Sequence, residues 1–288
     1  MMLVLSLAFA ALVFLGVRVP GTALALAIGE RLICAVGLGD RCAGTSGDLA
    51  LAYGSELGEL VSRHAPTLLY EEGMRAVPVD YRDCREDACA EGPEAGEVRK
   101  SLAGNPVTVF THVIDCREPT AVEEGFDCSG GRAGNTYLQY WLYYPGSQTS
   151  RQLFGERGHH PDDWESFTVR LGAPGDTSAR ASSHHGYNGY GGDPVNDTGL
   201  LGGKPGWVDS TGRYSIFGGS HAGRVGALPP DSGRLPSFIP RGPRRWTPGG
   251  ALRLIPIESL ADTWGDYEFE VTPPWLKTVY RDPEHTGT

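Results

Sequence analysis

The stretch that decides the fold is Gly158-His159-His160-Pro161-Asp162-Asp163-Trp164-Glu165-Ser166-Phe167-Thr168-Val169-Arg170-Leu171. Its second half, Trp164–Leu171, is rich in aromatic and β-branched residues and reads as a strand. Period-two alternation puts Asp163, Glu165, Phe167 and Val169 on one face and Trp164, Ser166 and Thr168 on the other. Two carboxylates followed by two apolar residues describe a buried face that opens into a polar site at one end of the strand. Working outward, Thr67–Glu71, Pro106–Asp115, Thr136–Tyr144, Ala179–His185, Tyr214–Gly218 and Ala251–Ile257 have the same character. Each is bounded by Gly, Pro, Asp or Asn, and no helical segment separates one from the next. The expectation is a mainly β fold, an antiparallel β-sandwich of jelly-roll type with a short N-terminal helical region and long Gly/Pro-rich loops, notably 186–206.

Composition agrees. The chain has 288 residues with 41 Gly and 21 Pro, so a long helical bundle is excluded by the density of helix breakers. The glycines have no three-residue period, which excludes collagen, and 40% hydrophobic residues suffice for a packed core. Residues 48–64 carry apolar side chains at helical spacing and end before Pro66, which predicts a helix. Three regions follow: 1–28 as a hydrophobic signal peptide or membrane anchor, 29–61 as a helical, disulfide-containing linker, and 62–288 as one β-sandwich domain. Near the C-terminus, Trp264, Tyr267, Trp275 and Tyr280 are expected to pack on the sandwich.

The net charge is −10, with no basic field of the kind that nucleic acid requires, so no nucleic-acid partner is expected. Acids concentrate at 71–97, and arginines at 224–253. Two solvated loops are the simpler reading of this asymmetry, an anion-recognising patch around Arg241–Arg245 the sharper one. Residues 1–17 carry no charge and, with the apolar run resuming after Arg18, are about long enough to span a bilayer. The small-x-small triplets at Ala23–Ala25 and Ala25–Ala27 equally suit a cleaved signal peptide, and a buried core helix is the third reading. The six cysteines fall in local pairs, predicting Cys34–Cys42, Cys84–Cys89 and Cys116–Cys128 disulfides in an oxidising compartment. The chain is therefore expected to be extracytoplasmic, secreted or held at a membrane by its N-terminal segment if that segment is uncleaved.

Chemistry gathers around the opening stretch. Carboxylates at Asp163 and Glu165, about 7 Å apart along a strand, repel unless a cation or a shared proton lies between them. Oxygen donors favour a divalent cation such as Ca²⁺ or Mg²⁺. His160 stands three residues before Asp163, and His184, His185 and His221 end two later strands that can converge on the same place. The plain alternative is that such histidines and aspartates cap loops and bond the backbone.

Four segments occur in order: Tyr137-Leu-Gln-Tyr-Trp-Leu-Tyr-Tyr-Pro145, His160-x-x-Asp163-Trp164-Glu165, Ser183-His184-His185-Gly186-Tyr187 and Gly219-Ser220-His221-Ala222. Together, and with His64–Tyr70 as an opening strand, they resemble the vacuolar-protein-sorting-62-like family and its relatives, the necrosis- and ethylene-inducing peptide-like proteins, over roughly residues 62–257. The resemblance implies a β-sandwich with a divalent cation held by Asp163 and Glu165, helped by His160 and His185, with Asp162, His184, His221 and Trp164 as supporting neighbours. In the cytolytic relatives the cation serves recognition of sphingolipid sugar headgroups. The chain departs from them where a further acidic ligand follows the aromatic strand, since Gly146, Ser147 and Gln148 stand there. Asp162 takes the place of a second histidine.

Three functions stay open on sequence. The first is an exported cation-binding sandwich that recognises a glycan, a lipid headgroup or another surface partner without turnover. The second is a metal-dependent hydrolase with His160 or His185 as base. The third is a structural envelope protein. Binding is preferred, because no nucleophile elbow, P-loop or HExxH zinc motif accompanies the cluster.

Overall fold

The computed structural model describes residues 46–74, 76–93, 98–118, 125–147, 160–173, 175–183, 186–188, 206–226 and 245–285. Among these residues a helix, α1 (Ser46–His64), leads into eleven strands: β1 (Thr67–Glu71), β2 (Thr108–Asp115), β3 (Thr136–Ser147), β4 (His160–Leu171), β5 (Thr177–Ser183), β6 (Gly186–Asn188), β7 (Val208–Asp209), β8 (Arg213–Ile216), β9 (Gly223–Val225), β10 (Trp246–Pro248) and β11 (Arg253–Pro256). One sheet has seven strands in the order β11-β2-β3-β4-β5-β6, with β7 also on β5, and the other has four in the order β10-β1-β8-β9. The two pack face to face through contacts such as Phe167 on Tyr214, with ring centroids 5.4 Å apart. The mainly β, two-sheet architecture expected from alternation is the one observed. It differs from the all-antiparallel expectation at two pairings, since β1–β8 and β11–β2 run parallel. Each joins strands far apart in sequence, where long connections permit either direction.

All twelve residues of β3 are buried, which explains its nearly unbroken aromatic run. Tyr140, Leu142 and Tyr144 share the inner face with Phe167, Glu165 and Asp163 of β4. Gln139, Trp141 and Tyr143 face a cover made by the C-terminal segment: Gln139 Nε2 donates to Val279 O at 2.8 Å, and Tyr143 meets Phe269 edge-on. The expected packing of the C-terminal aromatics is thus realised, with Tyr81, Trp164, Phe269 and Trp275 forming one cluster on that outer face. Sequence alternation alone could not show that both faces of β3 are dry, because the outer cover arrives more than 120 residues later.

The helix packs on the β11–β2 end of the large sheet, where Tyr140 Oη donates to Val61 O at 2.8 Å. The domain boundary drawn at residue 61 falls inside this helix. It is broken at Gly54, whose φ of 78° and ψ of 161° are non-helical. Beyond the break the helix doubles back, so a Cβ on Gly58 would lie 2.9 Å from the backbone of Leu49 and Ala50. A side chain at Gly54 is strained in that backbone region. Gly54→Ala is therefore expected to cost about 1–3 kcal/mol, measurable as a lower midpoint in urea with unchanged slope; an unchanged midpoint would refute the kink's dependence on glycine.

Two of the expected disulfides are formed, Cys84–Cys89 and Cys116–Cys128. They suit a chain that matures outside the reducing cytosol. Cys34–Cys42, the apolar N-terminal stretch and Arg241–Arg244 lie outside the described residues. No helix among the described residues is long and apolar enough to cross a membrane.

Candidate functional site

Strand β4 begins at His160, four residues earlier than alternation suggested, and pairs with β3 so that Tyr144 stands opposite Asp163 and Leu142 opposite Glu165. Asp163 and Glu165 point inward beside Phe167, and both are buried. Burial, and then the neighbouring Asp163 carboxylate, push the Glu165 carboxyl well above the usual range, against the opposing pull of Ser182 and Lys277. Lys277 has the converse problem. Burial lowers it, while Glu165 and Asp163 draw it back up.

Each carboxylate has a fixed partner. His221, from the turn between β8 and β9, is 1% exposed, and its Nδ1 lies 2.7 Å from Asp163 Oδ2. Its ring lies flat on Tyr144, with centroids 3.8 Å apart and planes at 11°, and its backbone has a positive φ of 53°. A non-glycine residue held there with its ring stacked and one nitrogen bonded is a positioned histidine. On the other carboxylate, Ser182 Oγ accepts the Ser166 backbone N–H at 2.6 Å, so its single proton is the one it donates to Glu165 Oε2. His160 sits at the rim. Its side chain is 42% exposed, and Nε2 is 4.0 Å from Asp163 Oδ1.

Sequence reasoning placed His221 only among the supporting neighbours, yet it is the histidine in direct contact with Asp163. The signal available was the glycine-flanked His in Gly218-Gly219-Ser220-His221, which marks a tight turn but not its target. Ser182, Tyr144 and Lys277 were missed, because their approach depends on register and on the C-terminal cover. Two expected neighbours face elsewhere. Asp162 has its oxygens committed on the opposite face, to Tyr143 Oη at 2.7 Å, Arg85 Nη2 at 3.0 Å and the Glu270 N–H at 2.9 Å. It therefore does not stand in for a missing acid. Trp164 belongs to the outer aromatic cluster, as alternation requires for a residue between Asp163 and Glu165. His184 and His185 lie outside the described residues.

Among the described residues, no three His, Cys, Asp or Glu side chains already stand at metal-ligating separations. The contacts as they stand are hydrogen-bonding ones. In chemistry, the donor set still fits a hard divalent cation: two carboxylates lie buried on one face of β4, and burial, then the Asp163 charge, makes Glu165 hard to ionise.

No protein-family model and no curated protein matches the chain. Solved structures match loosely. One described as "NLPPya in complex with glucosamine" is 18% identical, covers 76% of this chain and 84% of that chain, and has a TM-score of 0.36. "NLPPya in complex with mannosamine" is 16% identical, with 78% and 89% covered and a TM-score of 0.37. "Crystal structure of non-toxic HaNLP3 protein" is 16% identical, with 70% and 75% covered and a TM-score of 0.31. At such scores the likeness says nothing of the site.

Proposed function

We propose that this chain is an extracytoplasmic β-sandwich that binds a divalent cation at Asp163 and Glu165 and uses it to recognise the hydroxyl-bearing headgroup of a glycan or lipid. The supporting observation is the pair of buried, mutually repelling carboxylates at the rim end of β4. Asp163 and Glu165 would hold the ion with His160 beside them, and His185 is the sequence's candidate for a further ligand. A bound cation supplies positive charge and open coordination positions for hydroxyl oxygens. The chain's own residues prepare the place. His221 orients Asp163, Ser182 orients Glu165, and the half-exposed His160 faces the incoming ligand.

Binding is favoured over hydrolysis because the better-positioned histidine is inaccessible. His221 is buried with Nδ1 engaged by Asp163, and His160 turns Nδ1 towards the Pro161 carbonyl at 3.1 Å. Of the two only His160 reaches solvent, and its Nε2, 4.0 Å from Asp163 Oδ1, stands where it would serve the ion.

Calorimetric titration of the full chain with Ca²⁺, Mg²⁺ and Mn²⁺ tests the reading. The wild type is expected to bind at least one ion, and Asp163→Ala with Glu165→Ala to lose it. A wild type that binds none refutes the proposal. Glu165→Gln, which puts a neutral amide where burial and Asp163 oppose ionisation of the acid, is expected to raise the melting temperature in EDTA at neutral pH while weakening cation binding. If an ion binds, arrays of glycans and lipids, with glucosamine and mannosamine as simple probes, are expected to show ligand retention that EDTA abolishes. Turnover of a phosphoester or ester panel would instead favour the hydrolase.

A further inference from the structure

Behind the two carboxylates the sandwich interior holds buried phenol groups. Tyr144 is directly opposite Asp163 in the β3–β4 register, is fully buried, and carries the stacked His221 ring on its face. Tyr70, from β1 of the facing sheet, is 4% exposed. The hydroxyls of both are buried and have no hydrogen-bond partner among the described residues. Tyr144 lies within the field of Tyr70, Tyr214, Glu165 and Asp163. The unpaired Tyr144 hydroxyl near two crowded carboxylates, with that of Tyr70 beyond it, is costly as it stands, because each hydroxyl forgoes the hydrogen bonds that water would supply. One ligand answers both deficits: a hydrated cation, which neutralises the acids and brings oxygen-bound protons and vacant coordination positions to the phenols.

We propose that the hydroxyls of Tyr144 and Tyr70 belong to the cation site, closing its interior side as neutral oxygen partners of the ion's coordination shell. The inference rests on the cation reading of Asp163 and Glu165. Charge selects phenols for this role. Two carboxylates already balance one divalent ion, so a further buried acid would crowd charge in a medium that solvates it poorly. A phenol adds an oxygen without adding charge. Hard cations such as Ca²⁺ take six to eight oxygens, among which neutral donors are ordinary. The stacking on His221 gives Tyr144 a second task, since the same ring that presents its hydroxyl also fixes the histidine that orients Asp163.

The test is calorimetric titration of the full chain with CaCl₂ and with MnCl₂, on wild type, Tyr144→Phe, Tyr70→Phe and the double variant. Each protein's melting temperature is measured in EDTA. Removing an unpaired buried hydroxyl leaves packing intact and is neutral or stabilising without the ion. The expected result is therefore an affinity about tenfold weaker for Tyr144→Phe, the size seen for groups that support metal ligands, and weaker again for the double variant, with melting temperatures in EDTA unchanged or higher. A merely structural role would move the melting temperature and leave the affinity alone. If the wild type binds the ion and both single variants bind it equally well, the inference falls and the cation reading stands. If the wild type binds neither ion, both fall together.

Discussion

Replacing Arg85 by methionine is expected to destabilise the protein by about 3 kcal/mol, the lower end of the range for breaking a buried ion pair by removal of one partner. Arg85 enters from the loop closed by the Cys84–Cys89 disulfide, and its Nη2 lies 3.0 Å from Asp162 Oδ1 and 2.7 Å from the Glu268 carbonyl, to which it donates. Its guanidinium sits over Phe269 at 4.7 Å, with Tyr143 and Tyr267 each at 6.0 Å. The arginine therefore ties three parts together: the start of β4, the tyrosine face of β3 and the C-terminal cover. Asp162 is the vulnerable member, since its side chain is only 4% exposed while that of Arg85 is 32% exposed. Without the arginine, a buried carboxylate keeps the Tyr143 hydroxyl and the Glu270 N–H but loses its countercharge. Those two remaining donors, and the partial exposure of Arg85, hold the cost near the lower end. For a domain of this size the loss corresponds to a fall of roughly 10 °C in melting temperature. Methionine preserves much of the stem's packing on the rings, so the charge is what the variant removes. Arg85→Met combined with Asp162→Asn is then expected to recover much of the loss, because replacing both partners is milder than orphaning one. A double variant no better than the single would show that ring packing, not the ion pair, holds this corner.

Asp162 also shows how far the sequence could be read. Alternation correctly turned it away from Asp163, and the same period placed Asp163, Glu165 and Phe167 on the inner face. Those assignments need only local geometry, because successive side chains on a strand point to opposite sides. What Asp162 does on its own face was hidden, since Arg85 and Glu270 come from 77 and 108 residues away. The same limit explains the missed strands. β6, β7, β9 and β10 have two or three residues each, too few to show a period. The composition of the site was legible as a carboxylate pair near histidines. Which histidine touches which acid was not, because His221 reaches Asp163 across 58 residues and between two sheets. The Tyr144 hydroxyl was hidden for a different reason. In an aromatic run every residue reads as core, and an unpaired hydroxyl appears only when its surroundings are known.

Gly223→Ala is expected to be the most damaging glycine-to-alanine change among the described residues, costing more than about 3 kcal/mol because the added atom overpacks a rigid core. A Cβ at Gly223 would stand 1.8 Å from Tyr214 Cε2, well inside contact distance, and Tyr214 is fully buried. The backbone is not at fault, since Gly223 lies in β9 away from the positive-φ glycines. Only the ring's position forbids a side chain. Tyr214 cannot step aside cheaply, as it packs on Phe167 across the sandwich and its strand is paired on both edges, with β1 and with β9. The strand must move instead, and β9 begins two residues after His221. Any shift that frees the methyl therefore disturbs the Asp163–His221 bond and the His221–Tyr144 stack. Two readouts separate these consequences. Stability is measured by denaturant midpoint. The site is followed through the imidazole resonance of His221, which Tyr144→Phe should hardly move because the ring is retained, but which Gly223→Ala should move strongly. Shrinking the obstacle supplies the control: Tyr214→Leu is destabilising alone, yet in combination with Gly223→Ala it is expected to cost less than the sum, with a coupling of roughly 1–3 kcal/mol. Strict additivity would mean that the glycine and the tyrosine do not share the space assigned to them, and that the turn carrying His221 is held by something other than their close approach.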